Sequence, residues 1–166
     1  NAFGLNVSEI EAEWGSAVGP EQIKSALWGN KKIKAVFITH CESSTGVTND
    51  IKTISSIVKL NSDALVIVDA ISSLAGEELR MDEWGIDVVV SASQKGLMTP
   101  PGLSFISLSQ RARGHLYKSD LPKYYLDLKK SVTASKNFLT PWTPATTLIV
   151  GLDAALDIVV RETLET

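Results

Sequence analysis

The sequence predicts an α/β protein: a mostly parallel sheet with helices on its flanks. Three observations carry this. Apolar runs of strand length, Ala64-Leu-Val-Ile-Val68 and Ile86-Asp-Val-Val-Val90, recur along the chain and are rich in β-branched residues, the pattern of strands covered on both faces. Segments with apolar residues three and four positions apart alternate with these runs, as helices between parallel strands do. A length of 166 residues suits one domain, large enough to bury roughly two thirds of the surface its unfolded chain exposes.

Taken in order, strands are expected near residues 6–11, 33–39, 64–69, 86–91 and 103–108. Between the first two, Pro20-Glu-Gln-Ile-Lys-Ser-Ala-Leu27 opens with a proline in the first helical turn, and Gly29-Asn30 supplies the stop. Ile51, Ile54, Ile57 and Val58 recur at helical spacing behind Thr48-Asn49, side chains able to cap the amides of a first turn. The polar stretch from Gln110 to Asn137 has helical character over residues 122–135. Ile149, Leu152, Leu156, Val159 and Val160 then mark one face of a long terminal helix.

Composition excludes several classes of function. Charged residues make up 21% of the chain and the formal net charge is −3, so no polyanionic partner such as nucleic acid is expected. The longest apolar stretches reach five or six residues, far short of the roughly 20 that span a bilayer. A soluble chain with no membrane segment is expected. Cys41 is the sole cysteine, which rules out an internal disulfide and leaves no CxxC-type metal cluster. A nicotinamide-binding domain would share the α/β pattern, but the chain has no GxGxxG behind a strand.

Chemistry concentrates at two strand ends. Lys95 lies in Ser91-Ala-Ser-Gln-Lys-Gly-Leu-Met-Thr-Pro-Pro-Gly102, just past one apolar run, and Asp69 closes another. Both belong at strand carboxyl ends, where open α/β sheets bind ligands. An amine there can form a Schiff base, and a carboxylate there can hold the proton on a ring nitrogen; these are the two requirements of pyridoxal 5′-phosphate (PLP). Set against this are two plainer readings, a surface loop lysine and an aspartate that caps the turn Ala70-Ile-Ser-Ser73.

Around these residues the chain resembles the class V, fold-type I PLP-dependent aminotransferases, in their alanine–glyoxylate and serine–glyoxylate (serine–pyruvate) branch. Three blocks match in the family's order: Thr39-His-Cys-Glu-Ser-Ser-Thr-Gly46, Val68-Asp-Ala-Ile-Ser-Ser73, and Ser91-Ala-Ser-Gln-Lys95 with Pro100-Pro-Gly102. A weaker fourth is Trp142-Thr-Pro-Ala-Thr146. The resemblance implies that Lys95 is the Schiff-base lysine and proton shuttle, and that Asp69 pairs with the pyridine nitrogen. It further implies that Ile71 packs under the ring, that Ser43 lies against the cofactor and that Gln94 donates to its phosphate. Thr143 matches a threonine that contacts the phosphate held by a neighbouring subunit, which implies a homodimer with shared active sites. Cys41 replaces a glycine usual in the nearest relatives and is read as a small buried filler. His40 is a polar residue at a strand end, and His115 is a surface residue.

The expected function is transfer of an amino group from alanine or serine to glyoxylate or pyruvate, with amino-acid and 2-oxo-acid substrates. Gln94 disfavours a cysteine desulfurase, in which histidine precedes the lysine. A non-catalytic α/β module is the alternative from another class. The family pattern begins upstream of Asn1, so residues 1–166 are expected to be part of a large domain. A phosphate-binding loop would then lie before the chain, and a small domain with a carboxylate-binding arginine after it. The fragment alone is expected to be inactive. Cytoplasm, peroxisome and mitochondrion all remain open as compartments.

Overall fold

The computed structural model describes residues 3–30 and 32–162. Its centre is a four-stranded sheet of β1 (Ala35–Thr39), β4 (Leu65–Asp69), β5 (Val88–Ala92) and β6 (Ser104–Leu108), side by side in that order. The first three run parallel and β6 is antiparallel to β5. β2 (Cys41–Glu42) and β3 (Val47–Thr48) form a separate small hairpin. The expected sheet is present, with each strand within two residues of its anticipated start.

Helix α1 (Pro20–Leu27) occupies the expected range, because Pro20 suits a first turn and Gly29, at φ 72°, turns the chain out of the helix. Helix α2 (Ile51–Asn61) links β1 to β4 and packs on α1. Ile23 and Leu27 of α1 meet Ile51, Ile54 and Val58 of α2 over Ile38, Val66 and Val68 of the sheet. Ile54, Val58, Val66 and Val68 are fully buried; each contributes on the order of 1.5–3 kcal/mol by leaving water. The cap of α2 is Asp50, which accepts from the Thr53 amide at 2.9 Å. Neither Thr48 nor Asn49 takes that role, since the Asn49 carboxamide is used elsewhere.

The two faces of the sheet differ. Side chains alternate along β4, so Val66 and Val68 are buried under α1 and α2 while Leu65, Ile67 and Asp69 turn to the other side and stay half-exposed. Phe37, paired in register with Ile67, is 71% exposed. Coverage of both faces was expected from the continuous Val/Ile runs. Among the described residues only one face is covered by helices.

Three more expectations need correction. Residues 6–11 form no strand: the segment is mostly exposed and pairs with no neighbouring ladder, and Ile10 alone of it packs against the core. The helix expected over 122–135 is confined to α4 (Leu128–Ser135), because Asp127 caps it by accepting from the Lys129 amide. A further helix, α3 (Gln110–Leu116), is capped by Ser109 and was not anticipated. The terminal helix α5 (Thr146–Arg161) does form, but only Ala155 on it is buried. Ile149, Leu156 and Val160 of its apolar face are exposed.

Helix α5 meets the sheet layer at Gly102, whose φ is 139°. A Cβ there would lie 2.6 Å from Leu148 Cδ1. Gly102→Ala is therefore expected to destabilise the protein by about 1–3 kcal/mol, through both a disfavoured backbone conformation and overpacking. Urea unfolding of the variant beside the parent measures it.

Candidate functional site

The carboxyl ends of β1, β4 and β5 carry three loops, and five of the predicted residues, Ser43, Asp69, Ile71, Gln94 and Lys95, sit on them. β4 and β5 pair with Asp69 opposite Val90. Past that register the Ala70 amide donates to Val90 O at 2.8 Å, and Ser91 Oγ donates to Ala70 O at 3.1 Å. The strand leading to Lys95 is thus tied to the residue that follows Asp69.

The lysine turn is closed by hydroxyls that the sequence analysis did not single out. Ser93 Oγ donates to Pro100 O at 2.7 Å and accepts from the Leu103 amide, while Thr99 Oγ1 donates to Ser93 O at 2.8 Å. Ser93 and Thr99 are both buried. They staple the base of a loop whose tip, Gln94 and Lys95, is exposed. Their signal was present as small hydroxyl residues flanking an exposed lysine, but only the fold shows that they face each other.

The lysine turn rests on the turn behind β4. A Cβ on Gly96 would lie 2.4 Å from Leu74 O, so the two backbones touch with no room for a side chain between them. Each turn also holds a non-glycine residue in the left-handed region, Met98 at φ 55° and Ala75 at φ 66°. Such conformations cost on the order of 1–2 kcal/mol, and they concentrate where surrounding structure enforces a functional geometry.

Asp69 is half-buried, and its Oδ1 accepts from the Ile71 amide at 2.9 Å. The turn-capping reading of this aspartate is therefore correct as far as one oxygen goes. That bond leaves Oδ2 for a further partner. Ile71 is itself half-buried in this turn.

Ser43 is at the exposed tip of the β2–β3 hairpin, and its hydroxyl is hydrogen-bonded to that of Ser72 in the turn behind β4. The hairpin tip is held by Glu42, whose Oε1 accepts from both the amide and the hydroxyl of Ser44. Those bonds, the backbone one first, lower the pKa of Glu42. Asn49 fixes the hairpin's other end: its Nδ2 donates to Thr39 O, its Oδ1 accepts from the Val18 amide, and its own amide donates to His40 O.

His40 is buried, and its amide donates to Asp69 O at 2.8 Å. Burial lowers its pKa, against an opposing pull from Glu77. Its Nδ1 has no hydrogen-bond partner among the described residues. Cys41 is half-buried and free, while His115 is exposed on α3.

Thr143 stands apart from these five residues. It is exposed, between α4 and α5, and no hydrogen bond among the described residues joins it to them. Its neighbour Trp142 stacks on Tyr125 at 5.2 Å and donates from Nε1 to Tyr125 O, while Lys130 Nζ lies 3.5 Å from the Tyr124 ring centre. The segment that presents Thr143 is thus ordered by an aromatic and cation cluster of its own.

A concavity at the opposite, amino ends of the strands is lined by Lys59, Asp87, Ser109 and Arg111. Asp87, Ser109 and Arg111 are occupied with one another. Arg111 donates to both carboxylate oxygens of Asp87 and to Ala64 O, and Ser109 Oγ and the Val66 amide complete the shell around Asp87. This is a structural ion pair, remote from the lysine turn. No helix among the described residues is long and apolar enough to cross a membrane.

The family profile described as aminotransferase class-V matches residues 1–165. A protein named soluble hydrogenase 42 kDa subunit, from Anabaena cylindrica, is 49% identical over 99% of this chain and 43% of its own length. A serine–glyoxylate aminotransferase from Arabidopsis thaliana is 37% identical over 98% of this chain and 42% of its own. Among solved structures, the ureidoglycine–glyoxylate aminotransferase of Bacillus subtilis superposes with a TM-score of 0.88 at 34% identity, covering 97% of this chain and 42% of the other. The chain spans about two fifths of the length of the proteins it matches.

Proposed function

Because the chain belongs to the class-V aminotransferase family, whose members depend on PLP, we propose that the protein carrying it moves an amino group from alanine or serine to glyoxylate or pyruvate. The observation that carries this reading is the contact between the two turns. A primary amine and a carboxylate with an uncommitted oxygen stand on loops that touch through Gly96 and Leu74. That donor set fits the cofactor. Glyoxylate also recurs in the names of the relatives while the donor varies, which supports it as acceptor.

When bound, PLP supplies an aldehyde that condenses with amines and a ring that draws electrons from the substrate's α-carbon. Lys95 would hold the cofactor through its Nζ, and its free amine would serve as the base at the substrate's α-carbon. Asp69 Oδ2 would hold a proton on the ring nitrogen. Ile71 would pack against the ring, Ser43 would donate to a cofactor oxygen, and Gln94 would donate to the phosphate. Thr143 would reach the phosphate bound by a second copy, which would make the working protein a homodimer with shared sites.

We further infer that residues 1–166 are part of a large domain and that this stretch alone does not turn over. The phosphate loop and the carboxylate-binding arginine belong to other parts of the longer protein. The test is optical. Full-length protein mixed with PLP is expected to colour, to lose that colour with alanine or serine, and to regain it with glyoxylate. Asp69→Asn is expected to lower kcat/KM by about 10²–10³-fold, the effect of removing one member of a buried charged pair. A protein that stays colourless is instead a non-catalytic module.

A further inference from the structure

We propose that Ser72 is a positioning residue that aims the Ser43 hydroxyl at the ring oxygen of the bound cofactor; this rests on the reading of the site given above. The two hydroxyls are bonded to each other across 29 positions of sequence, from separate structural units. Ser43 tips the hairpin, whereas Ser72 belongs to the turn that Asp69 closes through the Ile71 amide. One short turn thus fixes the orientation of Asp69, of Ile71 and, through Ser72, of Ser43.

Each hydroxyl carries a single hydrogen. The pair holds two, and their mutual bond consumes one. Ser72 is half-buried and Ser43 is exposed, so the arrangement that keeps a hydrogen directed outward has Ser72 donating and Ser43 accepting. Ser43 then donates its own hydrogen to a third group, and accepting from Ser72 strengthens that donation. Ser72 follows Asp69 by three residues, which sets the pair beside the ring that Asp69 serves. Gln94, next to Lys95 on the other turn, serves the phosphate end. The acceptor is therefore the ring hydroxyl, which adjoins the carbon that Lys95 attacks. A donor on that oxygen disperses its negative charge. It thereby lowers the pH at which the nitrogen contributed by Lys95 loses its proton.

The test uses the full-length protein loaded with PLP, and reads the pH midpoint of the bound cofactor's absorbance together with PLP affinity. Ser43→Ala is expected to raise the midpoint, a roughly five- to tenfold gain in proton affinity, the worth of one hydrogen bond. Ser72→Ala is expected to move it the same way by less, Ser72→Thr to restore it, and the double alanine variant to match Ser43→Ala alone. Thermal unfolding of Ser72→Ala and Ser72→Thr separates misfolding from misorientation. A wild-type midpoint in Ser72→Ala beside a shifted one in Ser43→Ala, or full additivity of the two, overturns the positioning role while the reading of the site stands. An unshifted midpoint in Ser43→Ala overturns the placement of Ser43 as well.

Discussion

Lys95→Ala is expected to abolish covalent retention of PLP and to lower amino transfer by at least about 10²–10⁴-fold, the usual cost of losing a positioned proton-transfer group. Borohydride reduction followed by peptide mass spectrometry checks the first half: a pyridoxyl group should appear on the Lys95 peptide of the parent and on no peptide of the variant. Stability should change little, because Lys95 is exposed and the loop beneath it is closed by Ser93 and Thr99. A pyridoxyl label on another lysine of the parent would overturn the assignment. Unchanged folding with lost labelling is what separates a reactive amine from a surface one.

The second large effect is on stability, at the far pole of the sheet. Arg111→Met is expected to cost about 3 kcal/mol, the lower end of the roughly 3–5 kcal/mol for stranding a buried charge, because the Arg111 side chain is 41% exposed and water can partly replace it. At roughly 2–4 °C per kcal/mol for a chain of this size, the melting temperature falls by about 6–12 °C. The pH dependence follows from Asp87. Burial alone raises the pKa of its carboxyl, but the Val66 amide, the Arg111 guanidinium and the Ser109 hydroxyl outweigh it, and the net displacement is downward from 3.8. The native state then binds this proton less readily than the unfolded chain does. The contribution is complete above the unfolded value and is lost as pH falls through the folded one. Parent and Arg111→Met should converge in stability as pH drops below about 4, which denaturant titrations at several pH values would show.

The sequence disclosed what was either periodic or punctuated. Helix α1 was legible to the residue because Pro20 and Gly29 bracket it. Lys95 and Asp69 were legible because a polar group directly behind an apolar run lies at a strand end, whatever its partners. The β2–β3 hairpin was not, since strands of two residues carry no alternation to detect. Asn49 misled because its carboxamide can cap a helix as well as it can bridge Val18 and Thr39; geometry alone decides between those uses. α3 escaped notice because a cap at Ser109 and a helical Gly114 look like loop chemistry. Ser72, Ser93 and Thr99 were hidden for a simpler reason. Hydroxyls become informative only when the fold states what they face.

The division of labour between the two poles of the sheet has a consequence for how such a protein can diversify. Cohesion resides in the helix-covered face and in the Asp87–Arg111 anchor, whereas the residues proposed to react stand on three loops hung from the opposite rim. On the proposed reading, mutational drift in those loops can retune the site without eroding the scaffold. A lineage built this way can alter its chemistry and keep its architecture.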